Sequence, residues 1–202
     1  MTLFSNFGTR FVARVAASTA LGVSLSMAYA NEGAVRVTLT TNQGDIRLEL
    51  DAKTAPKTVE NFVQYVKDKH YDGTIFHRVI DGFMIQGGGF DASYVQKSTR
   101  SPVTHEGQEA IAKGGMRNVV GTIAMARTNA PHSATSQFFI NVKDNSFLDP
   151  TPQAHGYTVF GKVIEGMDVV NKIKAMPTGS GGPFPTDVPK TPITILKATL
   201  EK

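Results

Sequence analysis

The stretch at residues 76–90 reads FHRVIDGFMIQGGGF. Its two short apolar runs are separated by Asp81-Gly82, a pair that favours a tight hairpin turn. Three glycines follow the second run, and they predict that a regular strand ends there. The stretch therefore predicts a β-hairpin whose second strand is short.

One polar side chain interrupts each of these apolar runs. Arg78 lies in the first run and Gln86 in the second. A guanidinium is costly to bury without a partner, so Arg78 is either a paired structural charge or the working group of a pocket. The pattern alone leaves both interpretations open.

The first 30 residues differ in composition from the rest of the chain. They contain Arg10 and Arg14 and no acidic residue, and an apolar run ends at Ala28-Tyr29-Ala30. The run has about 13 residues, whereas a membrane-spanning helix needs about 20, so an uncleaved anchor helix is the less favoured alternative. We therefore predict a signal peptide at 1–30, cleaved after Ala30, and export of the protein.

The remaining part, residues 31–202, has a length that suits a single domain with a sizeable core. Removal of the two N-terminal arginines lowers the net charge from +4 to +2, and no run of like charges remains. This balance does not indicate nucleic acid or an anionic membrane as a partner. The chain has no cysteine, which excludes disulfides and thiol chemistry.

Hydrophobic periodicity predicts many short strands and two helices. The first helix is predicted over 56–69 with Thr54 as its N-cap, and a second, short one after Gly166. Two polar stretches, 91–117 and 177–189, are predicted to be long loops. The pattern favours a closed β-barrel with helices covering its ends, in which the first and last strands pair. The predicted strands outside the hairpin are 35–40, 45–50, 121–126, 137–142, 157–163 and 193–200.

Several classes of chemistry find no support in the sequence. The five histidines lack the spacing of metal ligands, the three glycines are not followed by a phosphate-binding motif, and no Gly-x-Ser-x-Gly motif is present. What remains is a set of apolar and amide side chains with one arginine. Each apolar member taken alone fits a core position, but Gln86 and Gln137 need partners and could position an arginine or a bound peptide. The set comprises Arg78, Phe83, Met84, Gln86, Gln137, Phe138, Phe139, Phe147 and Leu148.

Four ordered blocks of this sequence resemble the cyclophilin family of peptidyl-prolyl isomerases. They are FHRVIDGFMIQGG at 76–88, GTIAMA at 121–126, SQFFI at 136–140 and FGKV at 160–163. The similarity extends in order from about Val35 to about Leu200. With the export signal, the chain is most similar to the bacterial periplasmic cyclophilins, which implies a location in the periplasm.

The resemblance implies an eight-stranded antiparallel β-barrel capped by two α-helices, with a substrate groove on its outer surface. It gives Arg78 the catalytic role, with no metal and no cofactor. The substrate-binding residues that it implies fall into three groups. They are Phe83, Met84, Phe139 and Leu148 around the proline, Gln86 and Gln137 as supports of the arginine and the peptide, and Ala126 and Arg127 where backbone faces the substrate. Phe138 is expected to point into the barrel because side chains alternate along a strand.

The sequence departs from the common family pattern at three positions. Phe147 stands where many members have a tryptophan whose indole nitrogen helps to bind cyclosporin, so weak cyclosporin binding is expected. Tyr157 replaces a histidine at the pocket edge and can still form part of its wall. Asp81 replaces a proline in the hairpin turn, and only a local change is expected there because Asp-Gly is itself a good turn.

The resulting functional prediction is a monomeric prolyl isomerase that acts on proline-containing segments of unfolded or exported proteins. In this mechanism Arg78 hydrogen-bonds to the proline nitrogen of the twisted amide. The alternative is a binding module that holds proline segments without turnover. The intact arginine and glutamines favour the enzyme, because binding proline needs only the apolar pocket.

Overall fold

A computed structural model describes residues 34–201, and the predicted signal peptide lies outside these residues. No helix within the described range is long and apolar enough to cross a membrane. The described residues form ten strands, three α-helices and one 3-10 turn. In chain order they are β1 (Val35–Thr41), β2 (Gly44–Leu50), α1 (Pro56–Lys67), β3 (Thr74–Ile80), β4 (Met84–Asp91), α2 (Gly107–Ala112), β5 (Thr122–Met125), β6 (Phe138–Asn141), the 3-10 turn (Ser146–Leu148), β7 (Val159–Glu165), α3 (Met167–Lys174), β8 (Thr178–Gly181), β9 (Phe184–Pro189) and β10 (Ile195–Leu200).

Eight strands form one antiparallel sheet in the order β10-β1-β2-β7-β5-β6-β4-β3. The predicted pairing of the first and last strands is confirmed by the β1–β10 ladder. The two outer strands of this order also meet, because the Phe76 amide donates to the Ile193 carbonyl at 2.9 Å and the Gly73 amide to Ile195 at 2.8 Å. The sheet is therefore a nearly closed barrel, as predicted.

Aromatic side chains fill one end of the barrel core. The Phe62 ring of α1 lies 5.6 Å from the ring of Phe138, 5.1 Å from that of Phe160 and 5.0 Å from that of Tyr71. Phe138 has no exposed surface, which confirms its predicted inward orientation. Helix α1 thus closes the barrel with the apolar face that its sequence periodicity predicts.

The beginning of α1 differs from the prediction. The Thr54 hydroxyl donates to Asp51 and makes no cap bond to the helix. Instead, the carboxylate of the buried Glu106 accepts hydrogen bonds from the Lys57 amide at 3.1 Å and the Thr58 amide at 2.8 Å. A residue about 50 positions away therefore satisfies the free N–H groups of the first turn and complements the helix dipole. The helix ends at Lys67, two residues before the predicted end.

Both predicted loops contain secondary structure, so these two predictions and the count of two helices were wrong. Helix α2 lies within 91–117, but only Gly107 and Ala110 are buried, and neither gives a detectable apolar face. Strands β8 and β9 pair as a separate hairpin within 177–189. Their buried positions are confined to the end of β9, which leaves no alternating pattern in the sequence.

The prediction that the second strand ends at the glycines was also wrong, because β4 continues to Asp91. The glycines are needed for close packing inside that strand. A Cβ at Gly88 would lie 2.8 Å from the Tyr71 ring, and one at Gly89 would lie 2.5 Å from the Gln137 side chain. Gly88 has φ of +83°, and the β3–β4 register shifts opposite this segment. The glycines therefore form a bulged stretch of barrel wall rather than a strand end.

Candidate active site

A cavity of about 200 Å³ lies on the outer face of the barrel. Successive side chains of a strand point to opposite faces of the barrel wall, so the residues next to core residues line the cavity. Ile85 and Ile140 belong to the barrel core, whereas their neighbours Met84 and Phe139 belong to a second apolar cluster on the outer face. Nine of the eleven predicted site residues line this cavity. They are Arg78, Phe83, Met84, Gln86, Ala126, Arg127, Phe139, Leu148 and Tyr157.

The floor of the cavity is apolar and well packed. Met84, Phe139 and Leu148 are 2%, 4% and 9% exposed, and they pack with Ala124 and Val159 in the second apolar cluster. Four of these side chains come from four strands that the antiparallel order β7-β5-β6-β4 brings side by side, and Leu148 comes from the 3-10 turn. The floor is thus formed before any ligand arrives, and it suits a small apolar ring.

Tyr157 and Arg127 form one edge of the cavity. The Tyr157 ring packs edge-on against Phe139, with 5.5 Å between centroids. The Arg127 guanidinium carbon lies 4.8 Å from the centroid of Tyr157, and its Nε donates to the Gly156 carbonyl at 2.9 Å. The resemblance assigned only the backbone at Arg127, so this cation–π contact is an addition that the sequence did not indicate.

Phe147 and Gln137 are the two predicted residues that do not line the cavity. Phe147 is 73% exposed and stacks on Phe83, with 5.7 Å between ring centroids. It therefore lies at the rim. Gln137 Oε1 accepts a hydrogen bond from Gln86 Nε2 at 3.0 Å. The two amides pair with each other, and the described contacts include no hydrogen bond from either of them to Arg78.

Arg78 leaves the outer face of β3 directly opposite Gln86 of β4. Its side chain is 45% exposed, and its Nε lies 3.7 Å from Oδ2 of Asp187 on β9. That distance is an ion-pair contact but is too long for a hydrogen bond. The guanidinium is therefore not a buried structural charge. It borders the apolar cavity with donors available for a ligand.

The residue before Arg78 is a buried histidine with unusual electrostatics. His77 is 3% exposed, and its Nδ1 has no hydrogen-bond partner among the described residues. Burial, together with the positive charge of Arg78, lowers the pKa of His77 to about 4. His77 is consequently neutral near pH 7, and Arg78 carries the positive charge on this strand.

A buried network of amides, which the sequence analysis missed, supports the other side of the cavity. Asn145 Nδ2 donates to the Phe83 carbonyl at 2.9 Å and to Asn141 Oδ1 at 2.8 Å. Asp149 accepts from the amide and the side chain of Asn118 at 2.8 and 3.1 Å. The network ties the segment that carries Phe147 and Leu148 to the turn that carries Phe83. Its sequence signal was Asn141, an amide in an otherwise apolar strand.

The cavity combines an apolar floor with hydrogen-bond donors at its edges. Within residues 34–201, no group of three histidine, cysteine, aspartate or glutamate side chains is arranged to hold a metal ion. The donors include the guanidinium of Arg78 and the amide of Gln86, and Gln137 lies behind Gln86 as its hydrogen-bond partner. Such a site can bind an apolar ring and hydrogen-bond to atoms attached to it.

Comparisons with known proteins give a consistent family assignment. Residues 36–200 match the family model described as "Cyclophilin type peptidyl-prolyl cis-trans isomerase/CLD". The chain is 56% identical over 167 residues to peptidyl-prolyl cis-trans isomerase cyp18 of Streptomyces antibioticus, covering 81% of this chain and 97% of that protein. It is 50% identical over 169 residues to peptidyl-prolyl cis-trans isomerase B of Escherichia coli, covering 82% and 99%.

A solved structure agrees with this assignment. A cyclophilin-type peptidyl-prolyl cis-trans isomerase of Cryptosporidium parvum, crystallised in the presence of the dipeptide Ala-Pro, superposes with a TM-score of 0.64 at 26% identity. The superposition covers 83% of this chain and 99% of that one.

Proposed function

The chain belongs to the cyclophilin-type family of peptidyl-prolyl cis-trans isomerases, and on that premise we propose that Arg78 catalyses rotation about the peptide bond that precedes a proline held in the cavity. The observation that carries this proposal is a half-exposed guanidinium bordering a preformed apolar floor. The Ala-Pro dipeptide present with the Cryptosporidium parvum relative supports a proline-containing ligand for this floor.

The reaction requires no bond to be made or broken. Rotation about an X-Pro amide is slow because conjugation imposes a barrier of about 20 kcal/mol. In the twisted transition state the nitrogen lone pair is no longer delocalised, so the nitrogen becomes a hydrogen-bond acceptor. A group that binds this state better than the planar amide accelerates the rotation.

In the proposed mechanism the cavity holds the proline ring while the preceding carbonyl swings. The ring packs against Met84, Phe139 and Leu148, and Arg78 donates to the proline nitrogen once the amide has twisted. The apolar floor excludes water from one side of this hydrogen bond, which strengthens it. The amides of Gln86 and Gln137 are proposed to bind the peptide backbone next to the proline.

The mechanism must supply a substantial free energy. A rate gain on the order of 10⁵ requires about 7 kcal/mol off the barrier. A charge-assisted hydrogen bond from Arg78 supplies about 2–3 kcal/mol of this. Orientation of the ring and exclusion of water by the apolar floor supply the remainder in this proposal.

The first test is the isomerisation rate of Arg78→Ala on a peptide with one proline. Loss of a hydrogen bond made only in the transition state predicts a fall in kcat/KM of about 30- to 150-fold. The matched control is Arg100→Ala, since Arg100 is also half-exposed and paired with one carboxylate, Asp68, but lies outside the cavity lining. The control should retain wild-type activity.

Two results would overturn the proposal in different ways. Wild-type rates from folded Arg78→Ala protein would remove the catalytic role of the arginine. Tight binding of proline peptides by the wild type without measurable isomerisation would favour the alternative of a binding module.

We also propose that the protein acts in the periplasm on the folding of exported proteins, as a monomer. The proposed location and substrates rest on the signal-peptide pattern of residues 1–30. Weak cyclosporin binding is proposed as well, because the Phe147 ring at the rim has no N–H donor.

A further inference from the structure

We infer that Asp187 positions Arg78 for catalysis and that the β8–β9 hairpin, which no predicted site residue occupies, is a structural part of the active site. The inference rests on the proposed catalytic role of Arg78. The observation behind it is the ion pair between Arg78 Nε and Asp187 Oδ2, which lie 3.7 Å apart.

The hairpin is anchored directly beside Arg78 by aromatic packing. The Phe184 ring at the start of β9 lies 5.4 Å from the ring of His77 and 5.1 Å from that of Phe90. Tyr94 approaches the same ring at 6.4 Å. Because His77 is the chain neighbour of Arg78, this packing fixes β9 against the part of β3 from which the arginine projects.

Asp187 has a left-handed backbone conformation, which is rare for a residue with a side chain. Its φ is +67°, in the left-handed region that most side chains avoid and that aspartate tolerates better than most. The next residue, Val188, is 2% exposed and anchors the strand from the other side. Asp187 is thus held between two packed residues, Phe184 and Val188, in a conformation that brings its carboxylate to the arginine.

The carboxylate lies near one nitrogen of the guanidinium, Nε, as an ion-pair contact rather than a hydrogen bond. An arginine has five N–H donors, and a carboxylate near Nε leaves the four donors of the two terminal nitrogens for a ligand. A long side chain that is half-exposed otherwise samples many rotamers, and the carboxylate reduces that number before substrate binds. Asp187 therefore acts through Arg78 and need not touch the substrate.

The test is a set of Asp187 variants assayed with and without Arg78. Asp187→Asn keeps the shape and removes the charge, so kcat should fall about two- to fivefold, the effect of an exposed charge pair, while KM stays unchanged. Asp187→Glu should restore most of the loss. Asp68→Asn is the matched control, because Asp68 pairs with Arg100 in the same exposed manner, and it should have no effect.

The decisive comparison is the double variant Arg78→Ala/Asp187→Asn. If Asp187 acts through Arg78, the second substitution causes no further loss of activity in the Arg78→Ala background. An equal loss in both backgrounds, or no loss from Asp187→Asn in the wild type, overturns the positioning role. Full activity of Arg78→Ala alone would instead overturn the proposed function on which the inference rests.

A spectroscopic measurement distinguishes loss of the Arg78–Asp187 contact from a change in the structure of the β8–β9 hairpin. The Nε–Hε resonance of Arg78 in a ¹H–¹⁵N spectrum should shift in Asp187→Asn, whereas that of Arg100 should not. An unchanged Arg78 resonance, with the amide resonances of β9 also unchanged, would contradict the contact itself.

Discussion

The two sides of the cavity are held in different ways. On the apolar side, Asn145 and its neighbours in the amide network are at most 5% exposed and bond to the backbone that carries Phe83. On the arginine side, Arg78 and Asp187 are 45% and 34% exposed and are joined by one contact of 3.7 Å. One side is fixed by buried hydrogen bonds and the other by charges that water and salt can reach.

Because of this difference, we expect proline binding and catalysis to respond differently to solution conditions. Buried hydrogen bonds are little affected by salt, so the floor that grips proline should stay intact until the protein unfolds. An exposed ion pair is weak and screened at physiological ionic strength. Solution conditions should therefore change the positioning of the charge more than they change the shape of the pocket.

The largest effect that we expect is a loss of stability in acid, and it comes from His77, the neighbour of Arg78 on β3. The pKa of His77 is lowered from its ordinary 6.5 to about 4, so between these values the unfolded chain binds the extra proton. The free energy of unfolding should thus fall as the pH drops from about 6.5 to 4, by on the order of 3 kcal/mol, with no further loss from this group below pH 4.

Urea unfolding of His77→Phe at pH 7 and pH 4.5 measures this contribution. The variant should lose less stability in acid than the wild type because it has no proton to take up there. His155→Phe, which alters an exposed histidine, serves as the control and should follow the wild type. Identical pH dependence of His77→Phe and the wild type would show that His77 does not limit acid stability.

A smaller effect is expected from Asn145→Ala on the apolar side. The substitution removes the side-chain donor to the Phe83 carbonyl, which keeps only the Val142 amide, and leaves Asn141 Oδ1 without its donor from Asn145. The loss should cost about 2 kcal/mol and lower Tm by about 4–8 °C. KM should rise more than kcat falls, because the wall moves while Arg78 stays in place. Calorimetry and steady-state kinetics measure both quantities.

Asn42→Ala is the control for that experiment. Asn42 also donates to a backbone carbonyl, that of Pro192, but in an exposed turn away from the cavity lining. A fall in kcat for Asn145→Ala as large as that for Arg78→Ala would contradict the separation of the two sides.

The smallest effect concerns the turn between β3 and β4, which joins the two sides. Asp81 Oδ1 lies 3.8 Å from Lys174 Nζ of α3, and Gly82 has φ of +71° as the turn requires. Lys174→Ala should cost less than about 0.5 kcal/mol in the free energy of unfolding, because the pair is exposed. The cost should vanish in 1 M salt. A loss that persists in salt would mean that the turn depends on α3 more than its own Asp-Gly sequence suggests.

Short-range patterns predicted much of the barrel, and the family resemblance implied most of the lining of the cavity. Strand alternation places Phe138 in the core and Phe139 in the cavity floor, and both placements are as expected. Gln86 and Gln137 were singled out because amides in apolar strands need partners, but the predicted partners were an arginine or a bound peptide, and the two amides bond to each other instead.

The errors arose where the decisive partner is distant in sequence. Thr54 looked like a helix cap, but the cap is Glu106, which no local pattern connects to α1. The glycines looked like a strand end, yet they make room for the side chains of Tyr71 and Gln137. Asp187 lies in a stretch without periodicity, and its role depends on packing between Phe184 and His77.

The most direct test of the separation between binding and catalysis is exchange of a bound peptide. Nuclear magnetic resonance line shapes of a single-proline peptide give both its affinity and its rate of cis-trans exchange on the enzyme. For Arg78→Ala we predict an affinity within about twofold of wild type and an exchange rate that is slower by about 30- to 150-fold. A variant that binds more weakly in proportion to its loss of activity, with unchanged exchange on the enzyme, would contradict the catalytic role of Arg78.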